Sequence, residues 1–346
     1  MLPQNSGTSI SSASLQGVID TLRSLNLNID ELLSAANIDR SSGLQDRRIP
    51  QSTFNNLIKK IAQTDQGMMF GIKFAENIHA TTYDSFGVLL VASKNLRSFC
   101  HNSARYFAFA NTGRKLIFDE SKGLASLSYT VTDDVSRDER HNFVNASGWL
   151  ATWLKLMRMA SRPNYTPAKV TFRSVAPECA SEIGHYVNCP VEWQSESDSM
   201  FFNLDLDFET LLPGGNAELA RRSESLVFNQ VRELGVIDPV NSVRIALFEL
   251  LPKGDTSPKS IAEYLDIKES TLQLGLKKCG TNLTRAISDT RRELAEDYIP
   301  RVDLTINEVA YMLGFSDCSN FARSFRRWTG KSPTEYRQQF HKIFRH

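Results

Sequence analysis

Between Asp303 and Trp328 the apolar residues fall at helical spacing on both sides of a glycine, and this pattern leaves few folds open. Ile306, Val309, Ala310 and Leu313 occupy i, i+3, i+4 and i+7, which makes one inward stripe. Gly314 permits the positive φ at which a helix ends, and Ser316 is placed to cap the next helix. In that next stretch Phe321, Phe325 and Trp328 recur at i, i+4 and i+7. Packing those rings inward turns Cys318, Ser319, Asn320, Arg323 and Arg327 toward solvent. Small hydrogen-bonding groups at a helix N-terminus, followed by arginines, suit a DNA major groove, where side chains meet base edges and cations meet phosphate. Gly330 ends the helix, and Lys331-Ser332-Pro333 begins another.

Charge supports the same reading. The chain carries a net charge of only +1, yet Ser316 to His346 holds Arg323, Arg326, Arg327, Lys331, Arg337, Lys342 and Arg345 against Asp317 and Glu335. A local cationic excess of this kind is the footprint of a surface that faces phosphates. A solvated basic tail would show the same count, so charge alone does not decide.

At 346 residues the chain exceeds the size of about 250–300 residues at which one hydrophobic core stops growing, so two domains are expected. Its 41% hydrophobic and 23% charged residues are those of an ordinary globular protein. Residues 1–14 are Ser-rich with neither a Lys/Arg cluster nor an apolar run, which predicts a frayed tail and no signal peptide. No apolar stretch approaches 18 residues, so no membrane is expected and the cytoplasm is the expected location. Five cysteines without any CxxC argue against a zinc site or a disulfide framework. Reduced buried thiols are a simpler reading than a redox pair of Cys179 and Cys189.

Helical periodicity runs from Leu15 to Ala36, from Phe54 to Ile61 and from Leu96 to Phe107, while Ser85 to Ala92 fits helix or strand. Lys115 to Asp119 and Ala125 to Thr130 form a hairpin pattern around Glu120-Ser-Lys-Gly123. Phe143 to Met159 is a long amphipathic helix; Val170 to Phe172, Val191 to Trp193 and Met200 to Leu204 are strands, with a helix at Glu178 to Val187. Pro213-Gly-Gly-Asn216 breaks the chain, Asn216 can cap a connecting helix to Leu234, and Asp238-Pro239 breaks it again. The boundaries predicted are therefore a tail over 1–14, an α+β domain over 15–212, a linker helix over 213–240 and an all-α domain over 241–346.

Gly314-Phe315-Ser316-Asp317, the run from Phe321 through Arg323, Phe325, Arg326, Arg327, Trp328 and Gly330 to Ser332-Pro333, and Tyr336-Arg337 resemble the C-terminal signature of the AraC/XylS family of transcription regulators. The resemblance implies two helix-turn-helix units joined by a helix. Ser257 to Leu265 would then support a first recognition helix, Glu269 to Lys278, with Leu272 and Leu276 inward and Ser270, Thr271 and Gln273 toward the groove. Lys277 and Lys278 would contact the DNA backbone, and Thr284 to Tyr298 would be the joining helix. Basic residues are common in the family where Ser270 and Leu274 stand, and Gly275 costs about 1 kcal/mol against Ala in a helix, so the second unit is expected to carry more of the specificity. Its DNA-facing set is Cys318, Ser319, Asn320, Arg323, Arg326, Arg327 and Lys331.

Leu22 to Asp30, Arg48-Ile-Pro50, Gly71 to Ala75, Phe86 to Leu90 and Cys189-Pro190-Val191 resemble the arabinose-regulator-type effector domain. That implies an α+β sensor domain followed by an all-α domain of two helix-turn-helix units joined by a helix. Its implied partners are promoter duplex DNA, RNA polymerase, a small-molecule effector and a second copy of the chain, without metal or cofactor. Tyr83, Phe86, Phe107, His141, Trp149 and Trp153 are candidate effector contacts, because aromatic walls with a few polar handles make small-ligand pockets. Core packing is the competing reading for each, above all for Trp149 and Trp153 at i, i+4. Neither GxGxxG nor GxSxG appears, nor a paired acid and base at convincing spacing, so no enzyme is expected. A helical adaptor without base contacts is the rival class; the polar face of Asn320, Arg323 and Arg327 weighs against it.

Overall fold

Leu15, Val18, Ile19 and Leu22 sit on one face of a helix from Ala13 to Ser24, and their complete burial gives the N-terminal part of the chain its first layer. The structure is a computed structural model that describes residues 7–38, 48–120, 123–131, 138–204, 208, 210–236 and 238–343, with side chains to Gln339. It divides into two compact units, Met1–Val236 and Ile237–His346.

In the first unit, in chain order, are β1 (Ser9–Ser11), α1 (Ala13–Ser24), α2 (Ile29–Ala35), β2 (Arg48–Pro50), α3 (Gln51–Ala62), α4 (Phe70–Glu76), α5 (Asp84–Val91) and α6 (Leu96–Tyr106). Then come β3 (Arg114–Asp119), β4 (Leu124–Val131), α7 (Glu139–Ala160), β5 (Lys169–Thr171), α8 (Ala180–Val187), β6 (Val191–Glu192), β7 (Asp198–Asn203) and α9 (Ala217–Glu233). The main sheet has the order β3-β4-β7-β5-β6, antiparallel except for the β5–β6 pair.

Residues 1–14 do not all form a tail. Ile10 is buried and pairs with Ile49 in the small β1–β2 sheet, and α1 begins at Ala13. Pairing with a partner some 40 positions away leaves no local trace, and a Ser-rich strand has no apolar alternation to betray it. The periodicity from Leu15 to Ala36 is likewise broken into α1 and α2, with Asn26 at φ 55° and Asn28 capping α2 through Glu31 N. Ser85 to Ala92 is helical, as α5.

The long helix α7 is the axis of this unit. Asp138 caps it, and Phe143, Leu150, Leu154, Leu156 and Met157 are each at most 1% exposed. Each such side chain contributes roughly 1.5–3 kcal/mol by leaving water, which is enough to hold a 22-residue helix whose Thr and Trp content disfavours helix.

The segment 213–240, expected as a linker, is mostly part of this unit. Asn216 caps α9 as expected, but Val227, Phe228 and Val231 are buried, Gln230 Oε1 accepts from Ser85 Oγ at 3.0 Å, and buried Glu224 accepts from Tyr106 OH at 2.7 Å. The apolar residues of α9 were visible in sequence; their burial against α5 depends on a partner 140 positions away.

The second unit is helical throughout its described residues: α10 (Pro239–Leu250), α11 (Pro258–Tyr264), α12 (Glu269–Lys278), α13 (Leu283–Tyr298), α14 (Ile306–Met312), α15 (Cys318–Thr329) and α16 (Pro333–Ile343). Asp238-Pro239, read above as a break, is the N-cap and first residue of α10. Arg244 holds Glu293 through two bonds of 2.7 and 2.6 Å, which fastens α10 to α13. Two helix pairs, α11/α12 and α14/α15, flank α13, as the AraC-type resemblance implies.

Candidate nucleic-acid interface and ligand cavity

The exit from α14 is stabilised by an arginine from the joining helix. Arg291 donates to Leu313 O at 2.9 Å and Gly314 O at 3.1 Å, satisfying carbonyls that a helix C-terminus leaves open, and its guanidinium lies 4.7 Å over the Phe315 ring. Arg291 lies within the expected joining helix, 284–298, and its task there is positional.

The start of α15 is capped by Asp317 and not by Ser316. Asp317 accepts from Asn320 N at 2.7 Å, and this bond holds its carboxyl below the usual range. Ser and Asp are both good caps, and the choice between adjacent positions is set by the helix register that Phe321 and Phe325 impose. Both rings are fully buried, while Trp328 is half-buried and donates to Ser288 Oγ at 3.1 Å. The opposite face follows: Ser319, Asn320, Arg323, Arg326, Arg327 and Lys331 are exposed and Cys318 half-exposed. Along that face Asn320 Nδ2 donates to Asp317 and Arg323 Nη2 donates to Asn320 Oδ1, a chain of polar groups on the helix surface. Lys331 Nζ donates to Gln339 Oε1. Of the basic residues beyond these, Arg337 donates to Ile299 O at 2.6 Å and is structural, while the Lys342 side chain and Arg345 lie outside the described residues.

In α12, Leu272 and Leu276 are buried and Ser270, Thr271, Gln273, Lys277 and Lys278 are exposed. Leu274 is exposed on this face. Gly275 has a packing reason that outweighs its propensity cost: a Cβ there would meet Pro239 Cγ at 2.9 Å, so only glycine lets α12 lie so close to the start of α10.

Wholly within the first unit lies a cavity of about 90 Å³ bordered by α1, α3, α4 and α7. Of the six effector candidates, Tyr83, Phe107, Trp149 and Trp153 line it; Phe86 and His141 do not. Phe86 is fully buried behind the wall, 5.6 Å from Phe109 and 6.4 Å from Trp153. His141 sits one helical turn beyond the lining residue Asn145, whose Nδ2 donates to its Nε2 at 3.0 Å. Spacing along the chain could not separate lining from backing rings, because both are apolar and buried. Sequence also missed Asn145 and Thr152, polar residues on the lining stripe of α7 that resemble surface positions in an amphipathic pattern.

Burial and then the charge of Lys59 push the His141 imidazole down to about 4, so it is neutral when folded at neutral pH. Between its unfolded value near 6.5 and about 4, only the unfolded chain takes up this proton, so stability falls as pH falls through that window. The expected loss is of order 2 kcal/mol after allowance for screening, read as a declining Tm from pH 6.5 to 4. His141→Asn should flatten that slope; an unchanged slope would assign it to other groups. Cys179 and Cys189 are also held in the thiol form by burial, Cys189 up to about 11, which opposes their use as a redox pair. Among the described residues no cluster of His, Cys, Asp and Glu could hold a metal, and no helix is long and apolar enough to cross a membrane.

A pair of helical hairpins with a polar, cation-bearing helix on each, and a separate domain with an aromatic cavity, define the architecture of a ligand-responsive DNA-binding protein. Comparison with known proteins narrows this. Residues 27–206 match the family model described as the arabinose-binding domain of AraC transcription regulator, N-terminal, and residues 261–339 match a helix-turn-helix domain. The chain belongs to the AraC family of helix-turn-helix transcription regulators. It is similar to the ornithine utilization regulator of Pseudomonas aeruginosa, 40% identical over 77 residues that make up 22% of this chain and 23% of that protein. It is also similar to the transcriptional regulator VirS of Mycobacterium tuberculosis, 39% identical over 88 residues, 25% of this chain and 26% of that one. These alignments span about a quarter of either regulator. Among solved structures, transcriptional regulator CdpR from Pseudomonas aeruginosa superposes with a TM-score of 0.54 at 18% identity, covering 94% of this chain and 98% of that one, a likeness of fold.

Proposed function

We propose that this protein regulates transcription by binding promoter DNA with α15 and α12 in successive major grooves about one helical turn apart, under the control of a small molecule held in the N-terminal cavity. The observation that carries this reading is the exposed chain of Asp317, Asn320 and Arg323 on a helix whose other face is anchored by Phe321 and Phe325. Arg323 is the base-reading candidate of α15, with Cys318, Ser319 and Asn320 beside it; Arg326, Arg327 and Lys331 face the phosphates. In α12, Ser270, Thr271 and Gln273 approach bases, Lys277 and Lys278 the backbone, and exposed Leu274 suits a thymine methyl.

We further propose contact with RNA polymerase, activation as the regulatory outcome and a bacterial cytoplasmic location; membership of a family of transcription regulators supports this reading. A homodimer has a candidate surface in Leu219 and Leu226, seven residues apart on α9 and 44% and 59% exposed.

Selection of genomic fragments by the purified protein tests the reading. Wild type should enrich a short motif, and Arg323→Ala should bind it about 1–3 kcal/mol more weakly with relaxed preference at one base pair. Lys331→Ala should instead weaken all duplexes alike and lower the salt slope by about 1. An equal loss by Arg323→Ala on specific and random DNA would move that residue to the phosphates. Failure of the wild type to enrich any duplex would favour a helical adaptor.

A further inference from the structure

Three side chains on one face of α7 leave hydrogen-bond donors unused beside the cavity. Trp149, Thr152 and Trp153 fall at i, i+3 and i+4, line the cavity and are 6%, 1% and 2% exposed. Trp149 Nε1, Thr152 Oγ1 and Trp153 Nε1 find no hydrogen-bond partner among the described residues. Native chains satisfy nearly all buried polar groups, and three orphans on one stripe of one helix are far from that norm. An indole N–H only donates, so whatever satisfies these groups must present acceptors.

The rest of the wall restricts the acceptor's chemistry. No Asp or Glu is among the lining residues, and Asn111 Oδ1 is already taken by Gly113 N at 2.9 Å. A polyol such as a sugar brings several hydroxyl protons that need acceptors, and this lining holds no carboxylate to take them, only the neutral oxygens of Ser14, Tyr83, Asn111, Tyr129, Asn145 and Thr152. Phe54, Phe70, Phe74 and Phe107 supply an apolar enclosure for the remainder of the ligand. Arg114 is 7% exposed and interacts with the lining residue Tyr129 by charge and hydrogen bond. The volume of about 90 Å³ is smaller than the roughly 150 Å³ cavity that holds benzene, so it accommodates on the order of four heavy atoms.

Resting on the effector reading above, we infer that the cavity takes a small monocarboxylic acid of a few carbons, its carboxylate bound by Trp149 Nε1, Thr152 Oγ1 and Trp153 Nε1 and its short aliphatic body among the phenylalanine rings. Charge-assisted hydrogen bonds to three donors in a water-poor site favour the carboxylate over a neutral group of the same shape.

The test uses the full-length protein and matched probes, acetate with ethanol and propionate with 1-propanol, together with L-arabinose, read by titration calorimetry and by the shift in Tm. Acids should bind saturably and at least tenfold more tightly than their alcohols, and arabinose more weakly than either. Thr152→Val should cut the acid-to-alcohol ratio at least tenfold while leaving alcohol binding within twofold. That variant only removes an unsatisfied hydroxyl, so its unliganded Tm should be at or above that of wild type. Trp153→Phe should lower the ratio in the same direction. Equal binding of acid and alcohol, or a preference for arabinose, would overturn the carboxylate assignment and leave the cavity as an effector site. Absence of heat and of any Tm shift with every probe would overturn the effector site along with it.

Discussion

Phe325→Ala is expected to unfold the second helix-turn-helix at ordinary temperature, with a loss of about 3–5 kcal/mol. Phe325 is fully buried, meets Tyr336 edge-on at 5.3 Å, and stands 5.7 Å from Phe321, which in turn is 5.5 Å from Phe315. This run of rings is the shared core of α14, α15 and α16. Deleting one ring removes its transfer free energy and leaves a cavity that helices tied by Arg291 and the Gly314 turn cannot collapse to fill. A domain is typically stable by only about 5–15 kcal/mol, so the remainder is marginal. Hydrogen exchange followed by mass spectrometry should show lost protection across 303–339, together with loss of duplex binding. Native protection in that segment would mean the ring cluster contributes little and the helices stand on local propensity.

Gly314→Ala is the second large effect, about 2–5 kcal/mol from two sources. Gly314 holds φ at 69°, which costs a residue with a Cβ roughly 1–2 kcal/mol. In addition its Cβ would stand 2.8 Å from Leu251 O, so the turn must move or Leu251 must, an overpacking cost of about 1–3 kcal/mol. Gly330 separates the two sources. Its φ is 76°, but nothing lies within 4 Å of a Cβ there, so Gly330→Ala should cost only the backbone share, about 1–2 kcal/mol. Chemical denaturation of both variants decides the matter. Equal losses would remove the close approach to Leu251 from the account. A larger loss at Gly314, with DNA affinity falling in parallel, would show that the turn angle sets how α15 is presented.

Much of the C-terminal unit was legible because its information is local. The inward face of α12 follows from Leu272 and Leu276 at i, i+4, and the polar face of α15 follows from the position of Phe321 and Phe325. Where sequence reasoning slipped by one residue, at Ser316 against Asp317, two good caps stood side by side and only the helix register chose between them. The strand at Ser9–Ser11, the docking of α9 and the division of the aromatic residues into cavity wall and backing were not legible. Each depends on a contact between residues tens of positions apart, and periodicity along the chain carries no record of it.

The sequence by itself determined the α+β and all-α division and the polar face of α15, because helical period and breaker residues act over a few positions, while the first helix-turn-helix unit was legible through the family resemblance. Tertiary structure alone decided that Arg291 braces the turn, that Gly275 admits the close approach of Pro239, and that three α7 residues lining one cavity hold buried donors without partners among the described residues. The physical reason is that satisfaction and packing are properties of pairs: a donor, a cation or a missing Cβ acquires its role only from the group that folding brings beside it.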